Sequence, residues 1–401
     1  MSNTPRLNWM LFGVYAVVCV GVLVASLVSP AVRASSYAPL RDLFVRPPEP
    51  VVLDILYSTE KAEWLDEVLP LFRAERPRVN GRPIELQMKK MGSREMYLSV
   101  LDGSERPDII SPASSLQISI LEDLSASKYG KPIVNSRDVR TCRSVVQSPV
   151  VLVGWKERAD VLWGEAPGRN LWRQLHDVLT DPQGWGAYGY PEWGYVKLSH
   201  TNPLKSNSGF QTILLMTYDY FGKTSGLSAA DILSDAAYQK WFTAMEGSIS
   251  NFGDSTGTYM QEIVAYGPSL YDFVMVYEAT AIEFAQSAQS RYGELQVYYP
   301  PATSLSDHPF CLLDAEWVSA EKARAAQMLI EFLTSEEAQR LALLNHGFRP
   351  VDPRIALDQA GSPFQQGAVA GLKQSLLPEV ELPSGNVLNT LLDFWSRNIQ
   401  R

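Results

Sequence analysis

The sequence predicts an α/β protein of two lobes, each a mixed sheet wrapped by helices, behind one N-terminal helix of membrane-spanning length. Three observations predict it. Strand and helix patterns alternate from Val51 onward, a long extended stretch around Pro149 separates two such series, and short hydroxyl-rich loops stand where strands hand over to helices. About 350 of the 401 residues follow Val51, too many for one ordinary core and comfortable for two.

The N-terminal segment is read first. Trp9 to Val28 contains no charged residue, and about 20 apolar residues are enough to cross a bilayer as a helix. Arg6 and the amino terminus precede it, so the remainder is expected on the outer side of the membrane. Two fates are open for residues 1–35. An uncleaved anchor fits the length, which exceeds the short core of a secretory signal. Cleavage near Val32-Arg33-Ala34 is the alternative. Cys19 follows Val17-Val18 and lacks the small residue that a lipid-anchor signal places directly before its cysteine. Residues 36–50, with Pro39 and Arg46-Pro47-Pro48-Glu49-Pro50, form a proline-rich tether of the semi-rigid kind.

The first lobe opens with a strand over 51–57, followed by a helix with buried positions Trp64, Leu65, Val68, Leu69 and Phe72 at helical spacing. Asn80-Gly81 marks a turn, 84–88 alternates as a strand, and a helix covers 93–101. A strand over 108–111 and a helix that begins at Pro112-Ala113-Ser114-Ser115 and ends near Leu121 complete the series. The extended run 145–155 crosses to the second lobe. There, a helix over 171–179, a strand over 189–198, helices from Gly209 and over 236–247, a strand over 272–277 and a strand over 295–299 are expected. Phe310 to Leu313 returns as extended chain before helices over 320–333 and 335–344. The lobes are accordingly drawn as 51–147 with 310–401, and 148–309.

Composition and motifs narrow the function classes. The net charge is −9 and no basic block occurs, which argues against nucleic acid as a partner. His176, His200, His308 and His346 show no metal-ligand spacing, so no metal or cofactor is expected. A Walker loop and H-E-x-x-H are absent, and no carboxylate pair is singled out as acid and base. No enzymatic activity is expected. Cys142 and Cys311 are either one bridge of an exported domain or two separate thiols.

Ligands of open α/β sheets sit beyond the carboxyl ends of strands, where helices begin. Four such junctions share small hydroxyls: Ser58-Thr59, Ser114-Ser115, Ser206-Asn207-Ser208-Gly209 and Ser255-Thr256-Gly257. Each alone is a helix cap. Two in each lobe point to a shared cleft, where hydroxyls and helix-start N–H groups suit a polar or anionic ligand. The candidate ligand-binding residues are Ser58, Thr59, Ser114, Ser115, Ser206, Ser208, Gly209, Ser255 and Thr256, with Lys61 and Lys205 adding positive charge nearby. Trp185, Tyr188, Tyr190, Trp193 and Tyr195 are divided between core and cleft wall, and Glu278 is placed at the end of a strand.

Several of these pieces carry a family likeness. Tyr57-Ser58-Thr59-Glu60-Lys61 with Trp64-Leu65, and the run from Arg106-Pro107-Asp108 to Ser114-Ser115, are two of them. His200-Thr201-Asn202-Pro203 through Ser208-Gly209, and Tyr299-Pro300-Pro301 before Asp307-His308-Pro309-Phe310, are the others. Over about residues 51–350 the chain resembles bacterial extracellular solute-binding proteins of ABC transporters, of the type II periplasmic-binding-protein-like fold. Within that class it looks closest to a subgroup found with von Willebrand factor A domains. The resemblance implies two lobes that close on a solute and hand it to a membrane permease with a cytoplasmic ATPase. By position it implies contacts from Ser58, Thr59, Ser114, Ser115, Ser208, Ser255 and Thr256. The apparent transmembrane anchor departs from the lipid anchor of many relatives. The expectation is therefore a monomeric, membrane-anchored, extracytoplasmic receptor for a small polar, anionic solute, working with an ABC permease and its ATPase. A sensor or scaffold acting with a von Willebrand factor A or other membrane partner, and a carbohydrate receptor, are the alternatives.

Overall fold

The computed structural model describes residues 4–29, 48–164, 170–249 and 251–399. Val32-Arg33-Ala34 and most of the tether lie outside the described residues. Helix α1 (Thr4–Val28) contains the stretch Trp9–Val28, with a mean hydropathy of 2.6, long and apolar enough to span a bilayer.

The first sheet has the order β2-β3-β1-β4-β12-β5. Its strands are β1 (Val51–Tyr57), β2 (Arg78–Val79), β3 (Arg82–Lys90), β4 (Ile109–Ser111), β5 (Cys142–Ser144) and the late β12 (Pro309–Leu312). β1 runs parallel to β3 and β4, whereas β12 is antiparallel to β4 and β5. Helices α2 (Ala62–Ala74), α3 (Ser93–Asp102) and α4 (Ser115–Tyr129) cover it. All five expected apolar positions of α2 are buried. α4 continues well past Leu121 because nothing breaks it before Gly130, whose left-handed backbone closes the helix.

The second sheet has the order β10-β6-β9-β7-β8, formed by β6 (Val146–Trp155), β7 (Leu198–Thr201), β8 (Phe252–Gly253), β9 (Phe273–Tyr277) and β10 (Leu295–Tyr298). Around it lie α5 (Lys156–Trp163), α6 (Leu171–Thr180), α7 (Asn207–Tyr220), α8 (Ala229–Ser234), α9 (Ala236–Gly247), α10 (Thr256–Tyr266) and α11 (Glu278–Tyr292). Residues 189–197 are not a strand. Short 3-10 turns, Gly184–Tyr188 and Pro191–Trp193, occupy this region. Gly189 and Gly194 take φ values of 89° and 72°, which breaks the pleat that the alternating aromatics suggested.

The chain crosses between sheets from β5 to β6 and again from β11 (Leu305–Ser306), which pairs with β6, to β12. Cys142 and Cys311 face each other across β5 and β12 and form a disulfide. Helices α12 (Ala320–Leu333) and α13 (Glu336–His346) then pack on the first lobe. Of the stretch 310–401 expected with the first lobe, Phe348 still packs in the first-lobe core and Val351 N–H donates to Gln339 Oε1 at 2.8 Å, while later residues also meet the second lobe. β13 (Arg349–Pro350) pairs with the start of β6, and Val297 N–H donates to the Ala370 carbonyl. After the short α14 (Pro363–Gln366), the terminal helix α15 (Gly385–Asn398) packs on α8 and also touches α4 of the first lobe. Its Val387, Leu388, Leu391, Leu392 and Trp395 join a core that contains residues of both lobes. This arm carries little apolar periodicity before Gly385, so its course is set by tertiary pairing.

Candidate functional site

β1 and β4 end side by side, and Ser58 N–H donates to the Ser111 carbonyl at 3.0 Å. A single 3-10 turn, Thr59–Lys61, leads into α2. Lys61 is fully buried. Its Nζ donates to Ser58 Oγ at 2.6 Å and to the Pro112 carbonyl at 3.1 Å. Burial draws its pKa down to about 8, with Glu60 and Asp307 opposing the drop. At the start of α3, Ser93 Oγ accepts from Ala113 N–H at 3.0 Å.

The second lobe answers with hydroxyls. Ser208 Oγ lies 2.7 Å from both Thr201 Oγ1 and Thr256 Oγ1, and Ser206 Oγ lies 3.3 Å from Thr256 Oγ1. The starts of α7 and α10 are thereby tied to the end of β7. Gly209 makes this approach feasible, since a Cβ there would stand 1.8 Å from the Thr201 carbonyl oxygen. Its N–H donates to Thr201 Oγ1 at 2.8 Å.

The two lobes meet at these ends. Gln117 Nε2, on α4, donates to Asn207 Oδ1, on α7, at 2.9 Å, and both side chains are buried. Asn207 Nδ2 in turn donates to Gln211 Oε1 at 3.0 Å and Tyr277 Oη at 3.2 Å. The Lys205 carbonyl lies 3.1 Å from where a Cβ on Gly92 would be. The molecule is therefore in a closed arrangement, with polar side chains of both lobes removed from solvent.

The sequence-predicted residues divide into two groups. Ser206, Ser208, Gly209 and Thr256 share one network, and Ser58 faces Lys61 from the first lobe. The others are satisfied locally. Ser114 Oγ caps its own helix by accepting from Leu116 N–H at 3.1 Å. Ser115 donates its N–H (2.7 Å) and its hydroxyl to the Asp307 carboxylate, so an internal anion already occupies that helix start. Thr59 Oγ1 donates to Glu60 Oε2 at 3.4 Å, Ser255 Oγ meets Thr258 Oγ1, and Lys205 pairs with Asp254 on the surface. Trp185 donates to the buried Asp272 at 2.9 Å, while Arg158 stacks 3.4 Å over Trp193. Glu278 is held by Arg349 at 2.7 and 2.8 Å.

Beside the inter-lobe contact stand buried polar atoms that make no hydrogen bond: Glu60 Oε1, Ser111 Oγ, Gln117 Oε1 and both ring nitrogens of His308, of which Nδ1 lies 3.8 Å from Glu60 Oε1. The His308 imidazole is kept neutral, its pKa driven well below the ordinary value by burial and then by the Lys61 charge. Its ring lies 5.9 Å from that of Tyr277. A cavity of about 250 Å³ adjoins the crossings, lined among others by Ser114, Ser115, Ser144, Ser304, Asp307 and Glu379.

This geometry is a two-lobed clamp closed over polar groups, and the chain matches a known family over residues 53–349, described as bacterial extracellular solute-binding protein. The chain belongs to that family. Among solved structures, this solute-binding protein is similar to the sulfate-binding protein SubI from Mycobacterium tuberculosis H37Rv, at 19% identity and a TM-score of 0.52, over 77% of this chain and 90% of that one. It is also similar to the periplasmic binding protein AfuA from Actinobacillus pleuropneumoniae, at 13% identity and a TM-score of 0.57, over 87% and 99% of the two chains. A periplasmic thiamin binding protein aligns at 14% identity and a TM-score of 0.58, over 88% and 97%. At such identities the likeness is one of fold. Among curated proteins none matches.

The family is non-enzymatic, and two motif-like spacings in the chain lack catalytic context. Gly253-Asp254-Ser255-Thr256-Gly257 has the letters of a nucleophile elbow. However, Ser255 has an ordinary extended backbone, and among the described residues no histidine or carboxylate bonds its hydroxyl. Gly184 to Gly189 has a dinucleotide-loop spacing but folds as a 3-10 turn with no strand before it. Sequence reasoning missed Glu60, Gln117, Tyr277 and His308 at the interface and Ser93 beside it, and named Asn207 only as a member of its junction. Ser93, in Met91-Gly92-Ser93, was legible as one more strand-to-helix junction. Gln117 and His308 carry no local signal, because only the approach of the second lobe makes them inter-lobe residues.

Proposed function

We propose that this protein captures a small polar solute with an anionic group between its lobes and delivers it to an ABC-type permease and ATPase. In this reading, α1 anchors it to the membrane with the lobes on the outer side. The observation that carries the reading is the Gln117–Asn207 bond, which closes buried polar groups of one lobe over those of the other. Lys61, the starts of α7 and α10, and the hydroxyls of Ser58, Ser93, Ser206, Ser208 and Thr256 supply the contacts. The internal carboxylate at Ser115 shifts the expected solute position from the start of α4 toward Lys61 and α10. Native mass spectrometry of the full chain, purified in detergent from its own cells, tests this. One small molecule is expected per chain, and Lys61→Met is expected to lose it. A chain that never carries a solute, and whose inter-lobe distance is insensitive to cell extract, would refute the reading.

A further inference from the structure

We infer that the solute brings hydrogen-bond donors of its own, as O–H or N–H groups, and that oxyanions without a proton are rejected. This rests on the receptor reading above and adds the chemical class of the solute. The argument comes from the unpartnered buried atoms at the lobe interface. Glu60 has a side chain only 6% exposed, and its Oε1 makes no hydrogen bond, standing 3.8 Å from His308 Nδ1. A carboxylate oxygen is an acceptor only. Gln117 has committed its amide nitrogen to Asn207, so the atom left free, Oε1, is an acceptor as well. His308 is neutral, so one of its two unpartnered nitrogens carries a proton and the other is an acceptor. Against these three acceptors stand one imidazole N–H, the Ser111 hydroxyl and the third N–H of the Lys61 ammonium, whose other two go to Ser58 and the Pro112 carbonyl.

The free groups therefore ask for a molecule that both accepts and donates. A tetrahedral dianion with no proton would set lone pairs against the Glu60 and Gln117 oxygens, and buried polar atoms left facing each other in this way weigh heavily against binding. Sites built around such groups discriminate sharply against a ligand that lacks the matching hydrogen.

The test is calorimetry on the full chain in detergent, stripped of solute, at equal ionic strength. Sulfate and molybdate are the proton-free probes. Phosphate and glucose 6-phosphate present O–H donors, and glutamate presents N–H donors, so the arms separate the two sources. At least one donor-bearing probe is expected to bind about tenfold or more tighter than sulfate and molybdate. Glu60→Gln is expected to narrow that gap to within about threefold. Should that variant fail to fold, Gln117→Met removes the second acceptor and is expected to narrow it likewise. Sulfate or molybdate binding as tightly as every donor-bearing probe overturns the inference and leaves the receptor reading standing. If no probe binds, the molecule that co-purifies decides: one with O–H or N–H groups supports the inference, and a proton-free oxyanion overturns it. No small molecule in either measurement overturns both readings.

Discussion

Gly209 is the residue at which the site tolerates least. A methyl group there would stand 1.8 Å from the Thr201 carbonyl oxygen, and backbone rather than a flexible side chain is in the way. Gly209→Ala is expected to cost more than about 3 kcal/mol, read from the midpoint of denaturant unfolding. An unchanged midpoint would mean that α7 does not lie on the end of β7. Lys61 gives a pH dependence with two signs. Its folded pKa of about 8 is below the ordinary 10.5, so unfolding takes up a proton between those values and the Lys61 contribution to stability rises with pH across that window. Over the same interval the charge offered to an anionic group disappears. Solute affinity is expected to fall as pH passes about 8 in the wild-type chain, and Lys61→Met to flatten the profile. His200 works in the opposite direction. Burial pulls its pKa down, but Glu246 at 3.0 Å, which bonds it, and the Thr201 carbonyl carry it above the ordinary value. Its pairing therefore stabilises the fold fully below pH 6.5 and is lost as pH rises through the raised value. The difference in melting temperature between the wild-type chain and His200→Gln should shrink with rising pH. A constant difference would show that the pair is not an ion pair.

Among elements, α15 most clearly exceeds what its sequence announces. Trp395 is buried and donates to Glu246 Oε2 at 2.6 Å, while Phe394 packs 5.7 Å from Phe242. Trp395→Ala is expected to destabilise by about 3–5 kcal/mol, measured by denaturant unfolding. A loss below 1 kcal/mol would mean that the arm is dispensable. Elements with strong local patterns were legible in advance. β1 is a short β-branched and apolar run, and α2 repeats its apolar positions at helical spacing. The misread strand has a physical cause. Alternating aromatics over 189–198 imitate a half-buried strand, yet Gly189 and Gly194 turn the backbone left-handed. Ser114 and Ser115 carry the same hydroxyl signal as the other junctions, and here Ser114 Oγ accepts from Leu116 N–H while Ser115 donates to Asp307, which is distant in sequence. Hydroxyl chemistry can be read from a chain, whereas which partner reaches it first depends on the tertiary fold.

For the whole molecule, the Gln117–Asn207 bond places closure under the control of two side chains. Gln117→Leu removes the donor and leaves Asn207 Oδ1 buried without it, which costs about 1–3 kcal/mol in the closed state. An equilibrium between open and closed forms responds to that amount by roughly 5- to 150-fold. Spin labels placed one on each lobe should report a longer mean distance in the variant than in the wild-type chain without added solute. Identical distributions would mean that other contacts hold the lobes together.

The disulfide bears on how the lobes are joined. Cys142 lies just before one crossing and Cys311 just after the other, on neighbouring strands. The outgoing and returning links are therefore clamped to one another on the first-lobe side. Those two links thus leave the first sheet from one anchored point, while the C-terminal arm makes a third connection to the second lobe through Val297 and Ala370. Reduction removes the covalent clamp and leaves the β5–β12 ladder alone to hold the two strands together.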